Sequence, residues 1–396
     1  MTVLAVNAGS STLKFALYPA DSDPEGPVLL SGSVDGLATQ GTLLLRWTAN
    51  GSATQTEVPC HGEEPFACAL RALQNLLQHA LAGQDLRAIA HRVVHGGGVY
   101  QQPVRVDAKV LQALEGFSPL APLHQPHNVA GIRAFAVAFP ALPQVACFDT
   151  AFHASLPEVE YAFALPQTLA DQGVRRYGFH GLSYQYVMQC LARLTPRAKG
   201  RVVMAHLGNG ASLCGALDGH SRATSMGFSA LDGLMMGTRC GSLDAGVLLH
   251  LLGQGWDRAR LEDLLYRHSG LLGVSGLSAD MRQLRAADTP RARLAIQMFT
   301  YRVIREAGAM AACLGGLDAL VFTGGIGEHD AVLRAEVCQQ LAFLGIRLDT
   351  ECNAHASMDA AARLHAQGSS VEVWMIPTDE GRIAAQAAVA VLAMGG

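Results

Sequence analysis

The chain has 396 residues, half of them hydrophobic and only 16% charged, which suits buried cores in more than one domain and excludes a solvated, disordered chain. A net charge of −4 leaves no basic stripe for nucleic acid, and no apolar stretch reaches the roughly 20 residues of a membrane span. Nine scattered cysteines without a CxxC argue against a disulfide framework or a structural zinc site, so reduced, mostly buried thiols are expected.

The opening MTVLAVNAGSS lacks the basic and apolar regions of a secretory leader, so a soluble, cytoplasmic protein is expected. Residues 3–7 (VLAVN) form an apolar strand and residues 12–18 a second. The small residues Ala8-Gly9-Ser10-Ser11 between them read as a hairpin turn. The pattern returns 200 positions later, where Val3, Ala5, Leu13, Ala16 and Leu17 match Val203, Ala205, Leu213, Ala216 and Leu217. Identity is slight, yet half the chain length is a sensible offset for a duplicated domain. Residues 88–94 read as a buried strand entering His95-Gly96-Gly97-Gly98, and residues 144–148 as one delivering Asp149. Helical spacing marks residues 294–314. A strand at 319–322 breaks into Thr323-Gly324-Gly325-Ile326-Gly327-Glu328. A last strand covers 372–376, and an alanine-rich helix covers 383–394. Alternating strands and helices indicate an α/β protein whose ligands sit past the carboxyl ends of its strands.

Glycine and serine in the two hairpin turns let backbone N–H groups approach phosphate, and Lys14 places a cation beside the first. Neither GxxxxGK[ST] nor GxGxxG is present, and such turns are often ordinary hairpins. Arg92, Asp149, His180 and Arg239 stand among glycines and apolar residues. Lone residues of this kind usually form buried ion pairs or satisfied core contacts, and Arg92 paired with Asp149 is one such reading. Together they have another use, since guanidinium groups grip carboxylate and phosphate while histidine donates to an oxyanion. Phosphoryl transfer asks mainly for such positioned charge. Magnesium takes one or two oxygen ligands, for which Asn7, Asp149 and Glu380 are candidates; Glu380 equally suits the start of the last helix.

The segments NAGSSTLKF, HRVVHGG, LAPLHQPHN, FDTAFH, RRYGFHG, HLGNGAS, TSMGF, MMGTR, SGLSADMR, FTGGIGE and PTDEG, in this order from Asn7 to Gly381, closely resemble the acetate kinase family. The resemblance implies two duplicated RNase H-like domains of the actin-like ATPase type with an ATP cleft between them, and a homodimer. It implies residues 1–148 with 382–396 as one domain and 149–381 as the other. The activity implied is reversible transfer of a phosphoryl group from ATP to acetate, with Mg²⁺ or Mn²⁺. Asn7 and Glu380 correspond to the metal ligands and Lys14 to an ATP contact. Arg92 corresponds to the carboxylate-binding residue, Asp149 to a proton donor/acceptor, and His180 and Arg239 to transition-state stabilisers. The nucleotide segments implied are His206, Leu207, Gly208, Asn209 and Gly210; Asp280, Met281 and Arg282; and Gly324, Gly325, Ile326, Gly327 and Glu328. His124 corresponds to a further active-site histidine.

An ionised acetate needs no base to attack phosphorus, so orienting Arg92 or holding magnesium indirectly is the more economical role for Asp149. Departures from the family pattern bear on substrate. TSMGFSALDG places Ala230 where the family commonly has proline, at the alkyl end of the pocket; Val94, Leu123 and Phe179 keep the rest of the apolar wall. Removing that volume favours propionate or butyrate as alternatives to acetate. Arg222-Ala223, His329, GLSYQYV and GTRCGSLDAG also depart, without removing a catalytic position. A reading from another class, an actin- or Hsp70-like ATPase module, shares the hairpins but needs no joint use of Arg92, His180 and Arg239.

Overall fold

The computed structural model describes residues 1–20, 26–39, 41–81, 83–357 and 359–394. Its internal contacts divide the chain into two units, Met1–Ala151 with Asp379–Gly396, and Phe152–Thr378. Both divisions fall three residues from the boundaries expected from the sequence, which moves Asp149 and Glu380 into the first unit. Both carboxylates bind Arg92 of that unit.

The first unit is built on a sheet of eight strands: β1 (Thr2–Ala8), β2 (Thr12–Pro19), β3 (Leu30–Asp35), β4 (Thr42–Ala49), β5 (Ser52–Pro59), β6 (Leu86–Val93), β7 (Val104–Arg105) and β8 (Gln144–Phe148). Their order is β5-β4-β3-β2-β1-β6-β8-β7. Strands β1 to β5 run as an antiparallel meander whose alternation turns Leu13, Phe15, Leu17, Val34, Leu43 and Leu45 to one side. Helix α1 (Pro65–Ala80) covers that side with Cys68, and with Ala69, Leu73 and Leu77 spaced four apart. It starts where it does because Glu64 accepts from the Ala67 N–H and Pro65 occupies the first turn. Each leucine buried there stabilises the unit by roughly 1.5–3 kcal/mol. Helix α2 (Gln125–Ala138) packs against the ends of β1 and β6, and Gly131 permits this: a β-carbon there would lie 2.6 Å from that of Ala8.

The second unit has six strands: β9 (Arg201–Leu207), β10 (Ala211–Leu217), β11 (His220–Thr224), β12 (Ala319–Thr323), β13 (Ala362–Arg363) and β14 (Glu372–Met375), ordered β11-β10-β9-β12-β14-β13. Helix α3 (Gly181–Leu194) buries Tyr184, Val187, Met188 and Leu191 against Val202, Met204 and Val321. Helix α4 (Ala245–Gly253) has no buried residue, while α5 (Met281–Ala287) buries Met281 and Leu284. The long helix α6 (Pro290–Cys313) begins four residues before the apolar spacing predicts, because Thr289 caps the Ala292 N–H ahead of Pro290. Helix α7 (Gly324–His329) follows β12 directly. The closing helix α8 (Glu380–Met394) returns to the first unit, and it also starts early: Asp379 accepts from the Arg382 N–H and from the Tyr18 hydroxyl at 2.6 Å.

The two units repeat one design. In each, an antiparallel hairpin (β1–β2, β9–β10) extends to a third strand, and its first strand pairs in parallel with β6 or β12. That strand pairs in parallel with β8 or β14, and a short antiparallel strand closes the edge. The duplication is therefore one of topology. The matches at offset 200 are not the equivalent positions, because Ala8 pairs Leu13 in the first hairpin but Leu207 pairs Ala211 in the tighter second one. By register, Asn7 and Lys14 correspond to His206 and Ser212.

Candidate active site

Strands β6 and β8 run parallel and end side by side, which brings Arg92 against Asp149. The contact is bidentate: Nε donates to Oδ1 at 3.1 Å and Nη2 to Oδ2 at 2.7 Å. Asp149 is 1% exposed, and Glu380, the first residue of α8, sets Oε2 3.2 Å from the same Nε. Burial raises the Asp149 carboxyl to about 6, with Arg92 pulling it down and Glu380 pushing it up; it is ionised at neutral pH. Burial works against the Arg92 charge, yet the two carboxylates outweigh it and raise its pKa. Nη1 donates to no protein acceptor among the described residues. The ion pair read from the sequence is real, and it leaves one edge of the guanidinium for a ligand.

Asn7 lies on β1 opposite Lys14 of β2, which is exposed. Two buried amides of α2 that the sequence reading passed over fix the strand ends nearby. Asn128 accepts from the Val94 N–H at 3.0 Å and donates to the Ala8 carbonyl at 2.9 Å. Gln125 accepts from the His95 N–H and donates to the His95 and Leu114 carbonyls. Their signal lies in LAPLHQPHN, where the amides Gln125 and Asn128 stand either side of Pro126-His127 in the same segment as Leu123 and His124. His124 and Leu123 are half-buried at the start of α2, and Val94 is buried.

In the second unit the segments His206–Gly210 and Gly324–Glu328 come together. Gly324 has φ +76 and packs on Leu207, where a β-carbon would meet backbone at 2.9 Å. The Glu328 carboxylate accepts the Gly324 and Thr378 N–H groups at 2.8 and 3.1 Å, so it shapes this turn. Arg334, 1% exposed, holds the other end of α7 by donating to the Gly327 and Glu328 carbonyls and to Asn353. The segment Asp280–Arg282 opens α5. Asp280 caps the Arg282 N–H and pairs with its side chain, which holds the carboxyl down at about 2, while Met281 is buried. Arg285 joins α5 to Asp330, just past α7, at 2.7 Å.

His180 and Arg239 converge. A β-carbon built on Gly210 would stand 3.3 Å from His180 Nε2 and 3.7 Å from Arg239 Nη2, so both face one small space over the glycine turn. Ser212 holds His180 Nδ1 at 2.8 Å and also meets the Tyr184 hydroxyl at 2.5 Å. The His180 ring stacks on His206 at 4.2 Å. Arg239 Nη1 donates to the Ala230 carbonyl at 2.9 Å, so Ala230 touches Arg239 through its backbone. Phe179 is buried. Permanent positive charge, a ring N–H and glycine turns in this arrangement suit an anion whose charge is spread over several oxygens.

The acetokinase family model matches residues 2–386. The chain is similar to acetate kinase of Rhodopseudomonas palustris, 52% identical over 96% of this chain and 95% of the relative. Among solved structures it is similar to a propionate kinase from Francisella tularensis, with a TM-score of 0.90, 34% identity and 98% of both chains covered. Porphyromonas gingivalis acetate kinase matches with a TM-score of 0.86, 36% identity and 99% coverage of both. By its full-length match in both sequence and fold, the chain belongs to the acetokinase family.

Proposed function

We propose that this protein is an acetate kinase, which transfers the γ-phosphoryl group of ATP to the acetate carboxylate, reversibly, giving acetyl phosphate and ADP. The observation that carries the reading is Arg92. It is a permanent cation at a strand end, oriented by two carboxylates, with an unengaged N–H edge that suits a carboxylate substrate. The acetate oxygen attacks the γ-phosphorus in line as the bond to the ADP oxygen breaks, and no residue becomes phosphorylated. Acetate is already ionised, so Asp149 serves by holding Arg92 rather than by taking a proton. His180 and Arg239 receive the charge on the equatorial phosphoryl oxygens. The glycine turns at His206–Gly210 and Gly324–Glu328, together with Asp280–Arg282, bind the nucleotide, and Lys14 contributes a cation.

Asn7 and Glu380 are hard oxygen donors on β1 and α8, which pack together. That donor set fits Mg²⁺, or Mn²⁺, which takes few protein oxygens and retains water and phosphate oxygens. When bound, the ion neutralises charge on the β- and γ-phosphates. Helix α4 supports a homodimer: its sequence AGVLLHLLG buries nothing, and Leu249 is 70% exposed. We place the activity in the cytoplasm.

A propionate kinase is the second reading, favoured by the smaller Ala230 and by the kinship with the Francisella structure. Trapping acyl phosphate with hydroxylamine, using acetate, propionate and butyrate in turn, tests both. Hydroxamate with the highest kcat/KM on acetate is expected. A higher value on propionate transfers the function to that acid, and ATP hydrolysis without hydroxamate removes the kinase reading in favour of an ATPase module.

A further inference from the structure

His180 sits in the left-handed region, with φ 60 and ψ 24, immediately ahead of α3. A residue with a β-carbon pays of order 1–3 kcal/mol there and stays only where its surroundings over-determine it. Glycine would take the position freely, so the imidazole is kept against a conformational cost. Ser212 holds the ring, and a restraint on the backbone lies one residue back. The Phe179 carbonyl accepts a hydrogen bond of 2.9 Å from Nε2 of His153, a residue in the FDTAFH segment to which no role attaches above. His153 is 1% exposed, and burial lowers its pKa to about 4, so the ring is neutral with one N–H. A carbonyl can only accept; the proton is therefore on Nε2, and Nδ1 accepts from the Ser221 hydroxyl at 2.8 Å. Gly178, at φ +75, completes the fit. A β-carbon there would stand 2.6 Å from the His153 ring, so the ring lies directly on the backbone leading to His180.

We infer that His153 is a positioning residue for phosphoryl transfer: by holding the Phe179 carbonyl it keeps His180 in its left-handed conformation, with Nε2 beside Arg239 over Gly210. The inference rests on the proposed role of His180. Displacing a catalytic group by about 1 Å costs on the order of 100-fold in rate. His153→Leu removes the hold and is expected to lower kcat by about 10–100-fold, with KM for acetate and ATP unchanged within about twofold. His153→Gln, whose amide N–H occupies the Nε2 position, is expected to restore most of the rate. The deciding measurement is a double-mutant cycle: His153→Leu combined with His180→Ala is no slower than His180→Ala alone. The same cycle is run with His153→Asn, too short to reach Phe179, should the leucine variant not fold. Multiplying losses in the cycle, or a lowered melting temperature at full kcat, overturns the inference and leaves His153 as packing. Full turnover of His180→Ala instead overturns the role of His180, a separate failure visible before the cycle is closed.

Discussion

The same hairpin appears twice, and what its paired ends carry differs. In the first unit the row holds Asn7 opposite Lys14, the neighbouring strand ends add Arg92 and Asp149, and the start of α8 adds Glu380: formal charges holding formal charges. In the second unit the equivalent row is His206 opposite Ser212, and neutral partners take part in holding its groups. Ser212 holds His180, the Ala230 carbonyl holds Arg239, and buried Arg334 donates only to carbonyls and an amide. Duplication copied the scaffold, and chemistry diverged at the few positions past the strand ends. The two units should therefore respond differently when a catalytic side chain is removed.

The largest effects separate the two arginines. Arg92→Ala and Arg239→Ala each lose about 10³-fold in kcat in the hydroxylamine assay, because each removes preorganised charge. Their stabilities diverge. Arg92→Ala leaves Asp149 buried beside Glu380 and costs about 3–5 kcal/mol in urea unfolding. Arg239→Ala takes a donor from the Ala230 carbonyl and from Met236 Sδ, at about 1–2 kcal/mol for the carbonyl. Adding Asp149→Asn to Arg92→Ala should recover stability without activity. Equal destabilisation by the two alanine variants would break the contrast between ionic and neutral support. Next in size, Glu380→Gln raises the magnesium concentration for half-maximal rate by roughly 10–100-fold, the effect of losing one charged contact. Asp280→Asn in the second unit leaves that concentration unchanged, since Asp280 caps its own helix and pairs with Arg282 and is not one of the proposed metal donors. An unaltered magnesium requirement in Glu380→Gln removes it from the metal set.

The sequence already carried the strands that deliver these groups. Residues 144–148 are β8 without a shift, and the Arg92–Asp149 pair is one that the two segments suggest by themselves. What escaped was support acting through the backbone. Asn128 joins Val94 to Ala8, more than 80 residues away from one another, and His153 holds a carbonyl rather than a side chain. No spacing rule announces a bond to a distant main-chain atom. The offset-200 matches misled for a related reason: a hairpin one residue tighter shifts the register while leaving alanines and leucines to agree by composition. The early starts of α6 and α8 are cap effects, set by Thr289 and Asp379 ahead of the first apolar turn.

A smaller effect tests pocket volume against backbone support at Ala230. Ala230→Pro narrows the alkyl end but keeps the carbonyl that orients Arg239. It should move the propionate-to-acetate ratio of kcat/KM about tenfold toward acetate, within the roughly 1–3 kcal/mol that one methylene commands, with kcat on acetate little changed. A fall in kcat on both acids at a constant ratio would show that Ala230 matters through Arg239 alone.

The smallest effect compares the two units as acid-sensitive scaffolds. Burial lowers the pKa of His91 in the first unit and of His153 in the second to about 4. In the unfolded chain both titrate near 6.5. Between those values the unfolded chain binds the extra protons, so stability that is complete above about pH 6.5 is lost as the pH falls toward 4. Asp149, raised to about 6, acts in the opposite sense, gaining stability as the pH falls, and offsets part of the loss. Each histidine should contribute about 1 kcal/mol of the loss between pH 7.5 and 5.5. His91→Gln, which retains a donor toward Gln144, and His153→Gln should each flatten the decline in urea midpoint by that amount. With no shared partner the two gains should add in the double variant. An unchanged decline in His91→Gln would mean that the imidazole takes up its proton as readily in the fold as in the unfolded chain, and a steeper decline that it is already protonated there.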